Sequence, residues 1–430
     1  MRYRRGSDIA GFAMGCGLWM MVGLVGCSAS ADRPTIVEFW GMGREGEVVS
    51  ALLPEFERLH PDIRVEVQQI PWTAAHQKLL TAFAGDATPD VAQLGNTWIP
   101  EFAAVKALVP LDASVLRSKV VEPNDYFSGI WDTNVVGGRL YGVPWYVDTR
   151  ILYYRRDLLA DVGFDAPPKT WAEWLEMMEA IRKMGTDRYG VVFPLNEYAQ
   201  LLTLGMQQDA PLVRTDEARA NFSSKGFRKV LDFYFEIFRR DLAPVVTNTQ
   251  ISNVWNEFGR GYFTFYIEGP WYVGELRRRL PARLQGTWST APLPGPGGPG
   301  YSTAGGSSLV VFESSRHHEA SWQLVEYLSR PDIQERFHSL TGNLPPRRSV
   351  WEREGLTDDE YAHAFREQLE RVRPSPKIPE CERIVIEMQR VAEAGVRGGW
   401  TAERAAAEMD RRADEILEKR RWMIARGRAE

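Results

Sequence analysis

The chain reads as an α/β protein of two lobes, and three observations predict it. Residues 35–94 alternate strand-like and helix-like runs, as successive βαβ units do. A proline-containing aromatic stretch, residues 141–156, then separates this region from a second block that opens with the β-rich run Ile151–Tyr154. Finally, 430 residues, 44% of them hydrophobic and 25% charged, supply core for two or three domains in ordinary globular proportions. Pro144 fixes φ and removes a donor, so its segment reads as a crossover or an edge rather than a central strand. Trp145, Tyr146 and Asp148 stand within four residues of one another there, side chains suited to the wall of a cleft.

The N-terminal segment reads as targeting rather than fold. Arg2, Arg4 and Arg5 precede an apolar run from Ile9 to Val25 that closes in Leu24-Val25-Gly26-Cys27, the layout of a secretory signal. That ending looks like a bacterial lipobox, with residues 1–26 removed and Cys27 lipidated. An uncleaved anchor is the other reading, and the apolar run is short for it. Removing residues 1–26 takes away Arg2, Arg4, Arg5 and Asp8, a net of +2, so the mature charge is −5 − 2 = −7. Such a balance offers no general affinity for nucleic acid or anionic lipid. Cys27 and Cys381 remain of three cysteines, so with Cys27 lipidated no internal disulfide can form.

After a polar tether over residues 27–34, Thr35–Trp40 reads as a buried strand. Glycines 41, 43 and 46 lead into a helix with Val48, Leu52, Phe56 and Leu59 on one face, which Pro54 should interrupt. His60–Asp62 is a turn, Arg64–Ile70 a second strand, Thr73–Phe83 a helix, and Asp90–Leu94 a third strand. The alternation argues for a doubly wound, largely parallel sheet. In the second block Pro167-Pro168 stop the chain, and Thr170 with Glu173 forms a capping box for a helix carrying Trp171, Trp174, Leu175, Met178 and Ile181. A helix over Phe227–Arg239 and a strand over Gly261–Ile267 follow. The proline- and glycine-rich run Pro292–Gly300 reads as a flexible linker between lobes. Ser307–Phe312 is a strand, Glu319–Ser329 a helix, and Thr401 caps a helix whose apolar face is Ala406, Met409, Ala413, Ile416 and Leu417.

Ten stretches in order carry a family resemblance. They are the lipobox; Phe39-Trp40-Gly41; Phe56 to Val65; Thr88-Pro89-Asp90-Val91; Tyr141 to Trp145; Leu152 to Leu158; Pro168 to Trp171; Glu268-Gly269-Pro270-Trp271; Gly305 to Ser308; and Gly342 to Arg347. Together they span almost the whole mature chain, which resembles the extracellular solute-binding proteins of the maltose-binding type that serve bacterial ABC importers. The resemblance implies a two-lobed periplasmic-binding-protein fold, each lobe a central β-sheet flanked by helices, with hinge crossovers between. By that analogy lobe 1 is residues 34–143 plus 300–350, and lobe 2 residues 144–299 plus 351–430. It also implies a monomer that takes a sugar from solution to the transmembrane permease subunits of an importer, with the membrane reached through the lipid anchor.

The chemistry of a sugar site agrees with particular residues. A pyranose offers an apolar face to an aromatic ring and a rim of hydroxyls to polar side chains, and an unpaired buried hydroxyl costs about 1–3 kcal/mol. Trp40, Trp145, Tyr146 and Trp271 fall at strand ends or crossovers, outside any helical stripe, and are expected to face a cleft. Asp148 and Glu268 are the preferred hydroxyl acceptors, followed by Glu45 and Asn96, while Gly305 and Gly306 would let backbone approach the solute. Trp98 and Trp255 divide between cleft and core, and Arg347 reads as a brace for the Pro345-Pro346 turn.

Other chemistries find less support. Gly41 to Gly46 matches G-x-G-x-x-G, with Glu66 at the distance of a ribose-binding acid. An exported protein has little access to dinucleotide, however, and Trp40 crowds the turn, so the glycines read as a strand-to-helix turn and no cofactor is expected. The histidines at 60, 76, 317, 318, 338 and 363 lack metal-binding spacing, and no nucleophile elbow occurs. Three alternatives stay open: a binder of glycerol phosphodiester or another polyol, for which only Arg44 and Arg150 offer cations; an exported glycosidase using two of Glu45, Asp148 and Glu268; and a sensor that presents bound sugar to a membrane receptor through the same cleft. An enzyme is not the expectation.

Overall fold

Alternation of apolar side chains within each strand fixes how the first sheet is buried. In β1 (Thr35–Met42), Val37 and Phe39 enter one core while Trp40 and Met42 enter the core on the opposite face. The computed structural model describes residues 34–214, 218–251, 253–353 and 355–427. The expected signal segment, Cys27 and residues 28–33 of the tether lie outside them. Pro34–Glu430 forms one unit with its own cores.

From β1 the chain passes through α1 (Gly43–Val48), a 3-10 turn at Val49–Ala51, and α2 (Leu53–Leu59), with Pro54 in the first turn of α2. The interruption at Pro54 is therefore present. It resets the helical phase, so Leu59 leaves the expected apolar face and is 44% exposed. Next come β2 (Ile63–Ile70), α3 (Trp72–Ala84) and β3 (Val91–Gly95). Later follow β4 (Val143–Asp148) and β5 (Ile151–Arg155), α4 (Trp171–Arg182), β6 (Tyr189–Val191), α5 (Lys225–Arg239) and β7 (Phe263–Glu268). The chain closes with α6 (Trp271–Arg279), β8 (Trp288–Ala291), β9 (Gly305–Val311), α7 (His318–Leu328), α8 (Pro331–Thr341), α9 (Cys381–Gly398) and α10 (Ala402–Ile416).

The first sheet has the order β2-β1-β3-β9-β4 and the second β8-β5-β7-β6. Neither is largely parallel as expected. In the first, β1 runs parallel to β2 and β3, but β9 is antiparallel to both β3 and β4. In the second, β5 is antiparallel to β7 and β8, and only β7 and β6 are parallel. Strand β9 arrives from far along the chain and enters between β3 and β4, a pairing that local alternation does not encode.

Pro144 lies on an edge strand, as its missing donor requires. All of Val143–Asp148 belongs to the first sheet, so the chain leaves that sheet at Thr149–Arg150 and not after residue 143. The run Pro292–Gly300 is not a flexible linker. It folds back on itself through Gly295 N to Gly298 O (2.8 Å) and Gly300 N to Leu293 O (2.7 Å), and Gly295 O receives the Trp171 N–H (2.8 Å). This ties the run to the start of α4, and the chain returns to the first sheet only afterwards.

The capping box forms as expected: Glu173 N donates to Thr170 Oγ1, and Glu173 Oε2 accepts from Thr170 N. Trp174 is fully buried, and Trp171 stacks on Phe233 with centroids 4.3 Å apart. A further core joins Phe127, Ile130 and Val147 to Tyr153, Tyr266, Trp288, Leu344 and Trp351, bringing side chains of both sheets together around the crossovers. Cys381 is free and buried, its thiol pushed up to about 12 by burial. No helix among the described residues is long and apolar enough to cross a membrane.

Candidate functional site

The carboxyl ends of β1, β2 and β3 lie side by side, the edge at which open α/β sheets hold ligands. Beyond β1 the chain turns so sharply that Gly41 and Gly46 touch: a Cβ on Gly41 would lie 2.5 Å from Gly46 Cα. The glycine pattern is thus a strand-to-helix turn packed on itself. This turn delivers Glu45, buried at 8% exposure, with Oε1 accepting from Asn343 Nδ2 at 2.6 Å. At the end of β3, Asn96 is buried. Its Oδ1 accepts from Ser308 Oγ (3.0 Å) and its Nδ2 has no partner among the described residues.

Three of the four aromatics expected at the cleft are buried instead. Trp40 is 8% exposed and Trp145 1%, because β1 and β4 lie in a sheet covered on both faces. Lys78 Nζ sits 4.6 Å over the Trp40 ring, and Trp145 stacks on Phe337 at 4.3 Å. The Tyr146 hydroxyl receives hydrogen bonds from Ser307 Oγ (3.1 Å) and Gln93 Nε2 (3.3 Å). Burial, with the charge of Glu45 adding to it, holds that phenol well above its ordinary pKa. Gly305 and Gly306 serve a closeness other than the one expected. Cβ atoms there would come within 2.4 Å of Asp148 O and 2.2 Å of Tyr146 O, and Gly306 has φ +130°. They let β9 press against β4, which accounts for both without a solute.

Where the chain passes between sheets, Arg150 becomes the centre of a charged cluster. Its Nη1 donates to Glu268 Oε2 at 2.8 Å, and Nη2 lies 4.0 Å from Asp148 Oδ2. Its backbone exchanges hydrogen bonds with Ser302 Oγ. Glu268 Oε2 also accepts from Gly269 N at 2.9 Å. Burial raises the pKa of both carboxylates, and the guanidinium opposes that rise. Asp148 Oδ1 is shielded and has no partner among the described residues, a state that costs free energy unless a donor arrives. Across the guanidinium face, 4.5 Å from ring centroid to Cζ, lies Trp271, which is 46% exposed. Gly269 seats this indole, since a Cβ there would meet the ring at 2.3 Å.

Glu268, Trp271 and Asp148 are therefore brought together around Arg150, while Glu45 and Asn96 follow the carboxyl ends of β1 and β3, each held by its own partner, Asn343 and Ser308. Arg150 carries more than its mention as a possible phosphate contact suggested. Trp72, 36% exposed at the end of β2, was not singled out from sequence. Its signal was position alone, after Pro71 at a strand's carboxyl end. Trp98 is partly buried against it at 5.7 Å, and Trp255 is partly buried against Tyr272 at 5.3 Å. Arg347 is a buried brace: it donates to Asp125 (2.6 Å), Val120 O (2.9 Å) and Ser329 O (2.8 Å).

A cavity of about 10 Å³ adjoins Asn96, lined also by Thr97, Thr133, Ala304 and Lys377. A larger open groove of about 710 Å³ lies between α9 and α10, but its arginines 390, 411 and 412 pair with glutamates of the same two helices. It shares no residue with the Arg150 cluster, so size does not mark the site here. No group of three or more His, Cys, Asp or Glu among the described residues is arranged to hold a metal ion.

Residues 42–335 match the family model for bacterial extracellular solute-binding proteins. The sugar-binding protein MalE from the phytopathogen Xanthomonas citri is 56% identical, with 91% of this chain and 99% of that one covered and a TM-score of 0.89. An ABC transporter solute-binding protein from Thermotoga lettingae, bound with α-D-tagatose, is 25% identical over 89% of this chain and 100% of that one, with a TM-score of 0.73. An uncharacterised lipoprotein from Streptomyces antibioticus is 29% identical over 72% of this chain and 70% of its own length.

Proposed function

The chain belongs to the bacterial extracellular solute-binding proteins, and from that premise we propose that it captures a sugar, a di- or oligosaccharide, and hands it to the membrane permease of an ABC importer. The observation that carries this is the Arg150 cluster. A half-exposed indole, Trp271, stands over a guanidinium pinned by Glu268, beside an Asp148 oxygen that lacks a donor among the described residues. An indole covers the apolar face of a pyranose, and a ring hydroxyl supplies the donor that Asp148 Oδ1 lacks. The sugar-binding Xanthomonas relative and the tagatose-bound Thermotoga relative support the ligand class and the importer role.

The two sheets form the cores of two lobes that close on the solute about the crossovers at 149–150, 301–304 and 342–350. Cys27 carries a lipid anchor and holds the protein at the outer side of its membrane, a reading the Streptomyces lipoprotein supports. A phosphate-bearing solute gains nothing from Arg150, whose charge is already engaged by Glu268 and Asp148.

The test is a thermal-shift panel on residues 34–430 with mono-, di- and oligosaccharides and glycerol phosphates. A ligand at 100 times its Kd adds about 2.7 kcal/mol of stability, enough to raise the melting temperature by a few degrees. A shift with one glycan, lost in Trp271→Ala while the fold is kept, is the expected result. No shift with any sugar would overturn the reading.

A further inference from the structure

The ladder between β4 and β9 ends where Asp148 faces Gly305, two residues short of Arg150. Beyond that point the backbone of residues 302–304 is committed elsewhere. Ser302 N donates to Arg371 O at 2.9 Å and Ala304 N to Arg373 O at 2.8 Å, in a short parallel pairing with Val372 and Arg373. The ladder therefore does not reach the N–H and C=O of Arg150. A buried peptide group left unpaired costs free energy, and one side chain answers for both. Ser302 Oγ accepts from Arg150 N at 3.1 Å and donates to Arg150 O at 2.7 Å. A hydroxyl suits this task because one atom carries both a donor and acceptor lone pairs. Ser302 is fully buried.

Three passes of the chain thus meet at this serine: residues 149–150, 302–304 and 371–373. Gln368, also fully buried, extends the junction. Its Nε2 donates to Gly300 O (3.0 Å) and Arg371 O (2.9 Å), and its Oε1 accepts from Leu293 N (2.8 Å). The short helix Ala199–Gly205 packs on Ser302 and Thr303. Buried hydroxyls nearby do not tie the passes in this way: Thr149 Oγ1 and Thr203 Oγ1 have no partner among the described residues, whereas Ser302 Oγ holds two groups of one residue.

We propose that Ser302 is a positioning residue for ligand capture. Its hydroxyl fixes the Arg150 backbone against the other two passes, and so sets where the guanidinium meets Glu268 Oε2 at 2.8 Å and lies 4.5 Å from the Trp271 ring. Ser302 touches no solute and acts through Arg150. The inference rests on the sugar-binding reading above.

Hydrogen exchange and isothermal titration with maltotriose, on residues 34–430, test this in the wild type, Ser302→Ala, Ser302→Val and Ser302→Thr. The control is Thr290→Val, which removes a buried hydroxyl bonded to Tyr361 O at 3.0 Å in the second sheet. Ser302→Ala and Ser302→Val should speed exchange at residues 149–155 and 268–273 and weaken binding at least about tenfold. Ser302→Thr, the size of valine with the hydroxyl kept, should restore both, and Thr290→Val should change neither. Should the two larger side chains prevent folding, Ser302→Ala against the control decides the matter. Wild-type exchange or wild-type affinity in Ser302→Ala overturns the proposal and leaves the sugar reading standing, as does Thr290→Val behaving like Ser302→Ala. A wild type that binds neither maltotriose nor any glycan of the wider panel overturns the sugar reading and the proposal together.

Discussion

Two aspartates show how placement sets the sign of an ionisation. At Asp125, burial alone would raise the pKa, but hydrogen bonds from Ser349 and Arg347 outweigh it and hold the carboxyl below its ordinary 3.8. A depressed acid stabilises the fold above its unfolded pKa, and that contribution is lost as pH falls through the folded value. Asp148 is the reverse: burial raises it above 3.8 and Arg150 only partly opposes. Its contribution is present below the unfolded pKa and lost as pH rises through the folded value. Asp148→Asn should therefore flatten the fall in stability on going from acid toward neutral pH, keep or raise apo stability at pH 7, and lower sugar affinity. Denaturant unfolding across pH 3 to 8 with titration at pH 7 checks all three. Arg347→Ala should cost about 1–3 kcal/mol, because it removes the buried guanidinium that Asp125, Val120 O and Ser329 O share, measured as a drop in the urea midpoint. Arg347 was legible as a structural brace, though its partners Asp125, Val120 and Ser329 were not, since each lies far from it in the chain.

At the scale of elements, the Glu268-Gly269-Pro270-Trp271 turn does one job per residue. Glu268 ends β7 on Arg150, Gly269 leaves room for the indole, Pro270 leads into α6, and Trp271 shows its face. A Cβ on Gly269 must push the exposed ring aside. Gly269→Ala should thus weaken sugar binding by about tenfold with little change in melting temperature, whereas unchanged affinity would mean the ring's seat is irrelevant. Elements built from local rules were legible: β1 to β3 with their helices, the Thr170 capping box, and the break at Pro54. Trp145 and Tyr146 were misjudged because lying outside a helical stripe does not distinguish a cleft wall from a strand in a sheet buried on both faces. Pro292–Gly300 was misjudged because composition cannot separate a loose tether from a turn tied down by its own backbone.

For the whole molecule, what could not be read was strand order. The insertion of β9 between β3 and β4 joins residues 305–311 to residues 91–95 and 143–148, and it makes the first sheet mixed. That insertion also decides which groups meet: Ser308 reaches Asn96, Ser307 reaches Tyr146, and Gly305 presses on Asp148. The family and the α/β architecture were legible from motifs in order, while the site's geometry depended on distant pairings. With Arg150 at the passage between the two sheets, the ligand capture and the hinge closure proposed here would share the same few residues. Asp148→Asn and Gly269→Ala should accordingly leave the far α9–α10 face unchanged in hydrogen exchange and alter protection near residues 148–154 and 263–271.

The most direct test of the central claim is a crystal structure of residues 34–430 with the glycan that raises the melting temperature most. The account predicts a pyranose ring stacked on Trp271, with a hydroxyl within about 2.7–3.2 Å of Asp148 Oδ1. A glycan bound elsewhere, with Trp271 bare and Asp148 Oδ1 still without a donor, would contradict it.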